Sequence, residues 1–137
     1  MNPSDARSQL LHQHERLRRL VAAAEDWGIR LRRGEPVAND FRGALVELRD
    51  ALTEHNQTEE ALLEPLLPKT DAWGPARVTR MLEEHVAEHM TMHEALAGSE
   101  AEVAARMTDF AEDLLAHMAA EERTFLHPTA LRDTGRR

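Results

Sequence analysis

The sequence predicts an all-α protein that folds as an antiparallel up-down four-helix bundle. Apolar residues recur in steps of three and four over most of the 137 residues, which is the period of one helix face. Helix-starting and helix-ending residues divide the chain into four segments, and no alternating run of β-branched residues indicates a strand. We assign residues 1–128 to the bundle, as a single domain, and residues 129–137 to a short C-terminal tail.

The first predicted helix begins near Ser4 and Asp5, either of which can cap it, and runs to about Arg33. The sequence Gly-Glu-Pro at 34–36 ends it, since glycine and proline both interrupt a helix. Its core-facing stripe is predicted to consist of Leu10, His14, Leu17, Val21 and Ala24.

The second predicted helix is capped by Asn39 and ends near Glu64, because Pro65 and Pro68 follow. Its stripe begins with apolar residues and acquires two polar ones in its last third. The stripe consists of Phe41, Leu45, Leu48, Leu52, His55, Glu59, Leu62 and Leu66.

The third predicted helix starts at Gly74 and Pro75, because proline is favoured in the first helical turn, and it stops at Gly98. Two histidines interrupt its apolar stripe. The stripe consists of Val78, Leu82, His85, His89, Met92 and Leu96.

The fourth predicted helix starts at a capping box, S-x-x-E, formed by Ser99 and Glu102. It ends near His127, before Pro128. Its stripe consists of Val103, Met107, Phe110, Leu114, His117, Glu121 and Phe125.

The composition favours a cytoplasmic protein without a nucleic-acid or membrane partner. The net charge of -8 disfavours binding to nucleic acid or an anionic membrane, because both attract a basic surface. No segment has the character of a secretory signal or the length of a membrane span. Cysteine is absent, which excludes disulfides and thiolate ligands, whereas eight histidines are many for a chain of this size.

Seven polar residues occupy stripe positions, where burial without a partner costs on the order of several kcal/mol. His14 and His85 lie ten residues after the starts of their helices, and His55 and His117 lie ten and eleven residues before a proline. In an up-down bundle these four histidines share one layer, roughly 15 Å from one end. The other three lie one turn away on the same faces. The seven residues are His14, His55, Glu59, His85, His89, His117 and Glu121.

Five imidazoles and two carboxylates in one layer indicate a metal centre, because a metal ion takes neutral imidazoles and ionised carboxylates as ligands. The set is too large for one ion, whereas two six-coordinate ions accommodate it. If both carboxylates bridge, together with an oxide or hydroxide, one position stays open for dioxygen, peroxide or nitric oxide. Nitrogen and oxygen donors without sulfur suit iron best and manganese next, whereas zinc prefers four ligands.

The ordered pattern H…HxxxE…HxxxH…HxxxE, with the similar segments HNQTEEALLEP and HMAAEERTFLHP, resembles the hemerythrin family in its bacterial HHE-type branch. The resemblance covers roughly residues 10–128. The last helix has HxxxE where the oxygen-carrying hemerythrins of marine invertebrates have HxxxxD, and the loop LLPKTDAWGP is longer; both differences point away from simple reversible oxygen carriage. The resemblance implies one iron on His85, His89 and His117, the other on His14 and His55, and bridging by Glu59 and Glu121.

Three histidines lie outside this set. His12 lies about 160° around its helix from the stripe histidine and is expected in solvent. His127, at a helix end, is expected to be a cap or surface residue. His93 stays open as a ligand or a partner of a ligand, because HxxxH also occurs at 89–93; the stripe favours the earlier pair, since Met92 continues it.

Three functions remain open from the sequence. The first is a binding protein that holds dioxygen, nitric oxide or peroxide at one open iron position, in sensing, buffering or iron handling. The second is a di-iron enzyme that consumes hydrogen peroxide or oxidises a small substrate, with His93 as a candidate acid or base. The third is a structural bundle that binds zinc opportunistically. A ferritin-type oxidase is excluded, because the chain contains no Glu-x-x-His pair.

Overall fold

The computed structural model describes residues 2–66, 75–124 and 126–127. Over these residues the chain forms four helices: α1 (Pro3–Arg32), α2 (Ala38–Leu66), α3 (Pro75–Ala95) and α4 (Glu100–Arg123). They pack antiparallel as a bundle, and no strand occurs in the described ranges. Consecutive helices are neighbours, and α4 closes the ring against α1. The predicted all-α four-helix bundle is confirmed, and no described helix is both long and apolar enough to span a bilayer.

The start of α1 differs from the prediction, because Asn2 and not Ser4 or Asp5 caps the helix. The Asn2 side chain accepts a hydrogen bond from the backbone N–H of Asp5 at 2.8 Å. Pro3 takes the first helical position, where a backbone N–H has no partner within the helix. This pairing moves the helix start upstream of the predicted caps.

Both ends of α2 extend slightly beyond the prediction. The helix begins at Ala38, so Asn39 lies in its first turn, where the side-chain oxygen accepts a hydrogen bond from Arg42 at 3.0 Å. At the other end the helix continues through Pro65 to Leu66. Proline removes one hydrogen bond of the helix, and the helix ends one residue later.

The connection between α3 and α4 is longer than predicted, because α3 ends at Ala95 and not at Gly98. The chain turns at Gly98, which has a φ of 111° that favours glycine. The capping box is confirmed: the Ser99 side chain accepts from the backbone of Glu102, and the Glu102 side chain accepts from the backbone of Ser99.

The end of α4 also comes earlier than predicted, at Arg123 and not near His127. The Thr124 hydroxyl donates to the carbonyl of Ala120 at 2.8 Å, and the backbone leaves the helical conformation at this residue. The Leu126 N–H then bonds five residues back, to the carbonyl of Glu121 at 2.9 Å. This wider turn brings the Leu126 side chain into the interior, where it is fully buried.

Some predictions concern residues outside the described ranges. They include the loop at 67–74, the core position of Phe125 and the tail at 129–137. The side chains of Leu66 and Val78 also lie outside the described set.

The core follows the predicted stripes. Gly28 on α1 allows a close approach to its neighbours, since a Cβ there would lie 3.2 Å from Cε1 of Phe41 and 3.3 Å from Cγ of Met107. Leu82 and Met92 are only partly buried, so α3 contributes less to the apolar core than predicted. The large side chains of the main apolar cluster are Leu17, Val21, Phe41, Leu45, Leu48, Leu52, Leu96, Val103, Met107, Phe110, Leu114 and Met118.

Candidate metal centre

The seven polar stripe residues converge between the helices at one end of this apolar cluster. The helices α2, α3 and α4 each contribute two of these residues, spaced by four, so that both lie on the same helix face one turn apart. The helix α1 contributes the seventh residue. All are buried except one imidazole, that of His117, whose side chain is 12% exposed. They are His14 on α1, His55 and Glu59 on α2, His85 and His89 on α3, and His117 and Glu121 on α4.

The donor atoms form two overlapping groups, and within each group every donor lies within 4.8 Å of the others. The three-histidine group contains His85, His89 and His117, and the two-histidine group contains His14 and His55. Glu59 and Glu121 belong to both groups. This division has the membership that the resemblance implies for two metal ions, although ligation itself stays a prediction.

Glu59 directs one carboxylate oxygen towards each group. Its Oε2 lies 3.0 Å from Nε2 of His55, in the two-histidine group. Its Oε1 lies 2.9 Å from Nε2 of His85 and 3.4 Å from Nε2 of His89, in the three-histidine group. A carboxylate in this position can bridge two cations, one on each side.

Glu121 repeats the arrangement from the opposite helix. Its Oε1 lies 2.9 Å from Nε2 of His14. Its Oε2 lies 2.5 Å from Nε2 of His85 and 2.9 Å from Nε2 of His117. The two carboxylates therefore stand between the histidine groups and are shared by both.

Four of the inward atoms lack a hydrogen-bond partner in the described part of the chain, although they lie close to one another. They are Nε2 of His55, Nε2 of His89 and both carboxylate oxygens of Glu59. Their contacts of 2.9 to 3.4 Å are close enough for a hydrogen bond in distance but do not form one. Because unpartnered buried polar atoms are costly, and because the donors are nitrogen and oxygen without sulfur, the residues fit two cations of the iron or manganese type.

The outward nitrogen of every imidazole contacts an oxygen that can only accept a hydrogen bond. Each Nδ1 must therefore carry the proton. In the neutral ring this leaves Nε2 unprotonated, with its lone pair towards the centre and able to bind a metal ion. The contacts join His14 to Glu122 at 2.7 Å, His55 to Oε1 of Gln13 at 2.8 Å, His85 to the carbonyl of Met81 at 3.2 Å, His89 to Glu60 at 3.2 Å and His117 to Glu88 at 2.5 Å.

Without a metal, the charges of the cluster are balanced by protons. Burial opposes the charge on His55, but contacts with Glu121 and Glu59 outweigh it and raise the pKa of His55 to about 9. The same causes raise the pKa of His85 to about 10. Burial and the neighbouring Glu121 disfavour ionised Glu59, yet its contacts with His55, His85 and His89 lower its pKa to about 2. The metal-free centre thus holds protonated imidazoles against ionised carboxylates.

Metal loading at pH 7 is therefore expected to release protons, including those of His55 and His85, because a cation displaces the proton on Nε2. Although burial opposes it, the contact with Glu121 also raises the pKa of His117, so His117 adds to the release. Calorimetric titration with iron(II) under anaerobic conditions, in two buffers of different ionisation enthalpy, measures the number of protons released. The release should shrink as the pH approaches 9 to 10, where the free imidazoles lose their protons. A binding enthalpy that is the same in both buffers at pH 7 would contradict this description of the metal-free centre.

A comparison with protein-family models decides the family. The model described as the hemerythrin HHE cation binding domain matches residues 5–127. The chain belongs to the hemerythrin family. No curated protein and no solved structure gives a significant match. The protein is therefore an HHE cation-binding domain with buried histidine and glutamate clusters that suit a metal site.

The three other histidines of this hemerythrin-family chain lie outside both donor groups. His12 is exposed, as predicted, and His127 is also exposed. His93 is partly buried, and its Nε2 lies 3.4 Å from Nδ2 of Asn56. In the structure His89 and not His93 lies in a donor group together with His85, which is the register that the stripe favoured.

Sequence reasoning missed the side chains that hold the outward nitrogens. Each is the immediate neighbour of a predicted ligand in the chain, which is the signal that was available. Polarity next to a ligand is a weak signal, however, because most helix residues beside a core position face solvent. The missed residues are Gln13, Glu60, Glu88 and Glu122.

Proposed function

We propose that this hemerythrin-family domain is a non-haem di-iron protein that binds a small ligand, dioxygen, nitric oxide or peroxide, in sensing, buffering or iron handling. The observation that carries the proposal is the pair of shared carboxylates, Glu59 and Glu121, each with one oxygen towards each histidine group. Shared carboxylates of this kind have no use in a site for a single ion.

The donor count supports an unequal pair of metal positions. His85, His89 and His117 would hold one iron together with the two carboxylates, and His14 and His55 would hold the other with the same carboxylates. If both irons have the same coordination number, the protein supplies one ligand fewer to the iron at the two-histidine position. Iron held there supplies a coordination position for dioxygen, nitric oxide or peroxide.

Apolar residues cover the centre on the side away from the main cluster. Leu10 and Met81 lie one turn before His14 and His85 in their helices, and both are buried. Leu126, beyond the end of α4, is also buried. Such a cover excludes water and favours small ligands of low polarity over hydrated ions.

The proposal is tested by reconstitution with iron(II) under anaerobic conditions, followed by elemental analysis and optical spectroscopy. We expect two irons per chain, and a discrete spectral adduct when the reduced protein meets nitric oxide or dioxygen. Retention of one zinc per chain with no iron would contradict the proposal. Binding of two irons without any spectral response to these ligands would contradict the ligand-binding function alone.

Hydrogen peroxide separates ligand binding from the enzymatic alternative. The oxidised protein should give at most a stoichiometric spectral change with peroxide, because the two donor groups of the described residues together contain no acid or base besides the seven predicted ligands. Oxygen evolution through many turnovers, well above the rate of free iron, would instead favour the enzyme. In that case His93→Ala should slow turnover by about 10²-fold without loss of iron.

A further inference from the structure

The acceptors around the outward nitrogens differ in charge between the two histidine groups. In the two-histidine group, Nδ1 of His55 donates to the neutral amide oxygen of Gln13, which is fixed by its own hydrogen bond to Thr58 at 3.2 Å. Nδ1 of His14 donates to Glu122, and both oxygens of that carboxylate also accept from Arg18, at 2.9 and 2.7 Å. The acceptors of this group therefore carry no net charge.

The three-histidine group is held by two carboxylates without a compensating cation. Glu60 accepts a hydrogen bond from His89 at 3.2 Å, and the Oε2 atom of Glu88 lies 2.5 Å from Nδ1 of His117, at ion-pair distance. Within the described ranges, no arginine or lysine forms an ion pair with either carboxylate. Both side chains are about half-exposed, at 46% and 47%, so water solvates their charges.

We propose that Glu60 and Glu88 are positioning residues that make the two metal positions electronically unequal. They hold the rings of His89 and His117 through Nδ1, and their negative charges favour the more highly charged, oxidised metal ion at the three-histidine position. The inference rests on the proposed di-iron function. It adds to that function an assignment of which position is oxidised first.

The experiment compares charge removal with removal of the whole acceptor. Glu88→Gln and Glu60→Gln keep an acceptor oxygen and lose only the charge, whereas Glu88→Ala loses both. Glu88 lines a cleft of about 530 Å³ between α3 and α4, and the side chain of Glu60 is 46% exposed, so neither set of changes needs repacking of the core. Glu84→Gln is the matched control, because Glu84 is exposed on the same helix one turn away and contacts neither histidine group.

Metal content is measured first, and reductive titration followed by optical spectroscopy then gives the midpoint potentials. We expect the wild type to be reduced in two separate steps, one for each iron. The lower of the two midpoint potentials should become more positive in Glu60→Gln and in Glu88→Gln, and the difference between the two potentials should be smaller in the double variant. Glu84→Gln should leave both midpoints in place. Glu88→Ala should also weaken metal binding by about 10- to 100-fold. An unchanged gap in a double variant that holds two irons would overturn the proposal.

A measurement on the metal-free protein tests the contact between His117 and Glu88 independently. The Nδ1–H proton of His117, distinguished from the Nε2–H proton beside Glu121 by its coupling to the ring nitrogen, should give a downfield resonance in the wild type and in Glu88→Gln. This Nδ1–H resonance should be absent from Glu88→Ala. Its presence in Glu88→Ala would overturn the positioning role. If the wild type holds fewer than two metal ions, the di-iron function fails and the charge assignment fails with it, while this measurement still decides the positioning role.

Discussion

Glu121→Gln is expected to remove most of the metal from both positions, although the substitution changes little in size. Glu121 contacts His14 at 2.9 Å with one oxygen, and His85 and His117 at 2.5 and 2.9 Å with the other. A neutral amide binds a hard cation weakly and presents an N–H₂ group on one of these two sides. Both groups therefore lose a donor at once.

The measurement is iron per chain after reconstitution and desalting, with circular dichroism to confirm the helices. Glu112→Gln is the matched control, because Glu112 is exposed on the same helix and belongs to neither donor group. It should retain the wild-type iron content. Two irons in Glu121→Gln would show that the carboxylate is not shared between two ions.

His85→Ala is expected to have the next largest effect, with loss of most iron and in particular of the ion in the three-histidine group. The His85 Nε2 lies within 3 Å of both shared carboxylates, at 2.9 Å from Glu59 and 2.5 Å from Glu121. The substitution removes a predicted ligand. It also removes one partner from each of two buried carboxylates, which costs on the order of several kcal/mol.

Two other histidine substitutions serve as controls for this effect. His12→Ala should keep all the iron, since the imidazole is exposed on the far side of α1. His93→Ala should also keep it, because His93 belongs to neither donor group and contacts Asn56 instead. Iron loss from His93→Ala together with retention in His85→Ala would mean that the register of α3 is wrong by one turn.

Much of the fold could be predicted because helix period is a local property. The stripe of α1 from Leu10 to Ala24 and the capping box at Ser99 depend on residues within one or two turns of each other. The helix ends were predicted less well, since caps compete. Asn2 replaced Ser4 through a single hydrogen bond, and Leu126 turned the chain inward because its side chain is buried.

By itself, the sequence determined which residues face the interior and that seven of them are polar. The spacing of four places His55 with Glu59, and His117 with Glu121, on one helix face whatever the packing. The placement of four histidines, one on each helix, in a single layer followed from their distances to the helix ends. These properties require only backbone geometry and the position of each residue along its helix.

Only the tertiary structure decided how these residues face one another. Glu88 and His117 are on different helices, and their 2.5 Å contact depends on the rotation of α3 against α4 and on two side-chain rotamers. The same holds for the division of carboxylate oxygens between the histidine groups, and for the Arg18 that neutralises Glu122 on one side only. Shifts of a few tenths of an ångström decide whether two side chains on different helices are in contact. A helical period in the sequence carries no information at that scale.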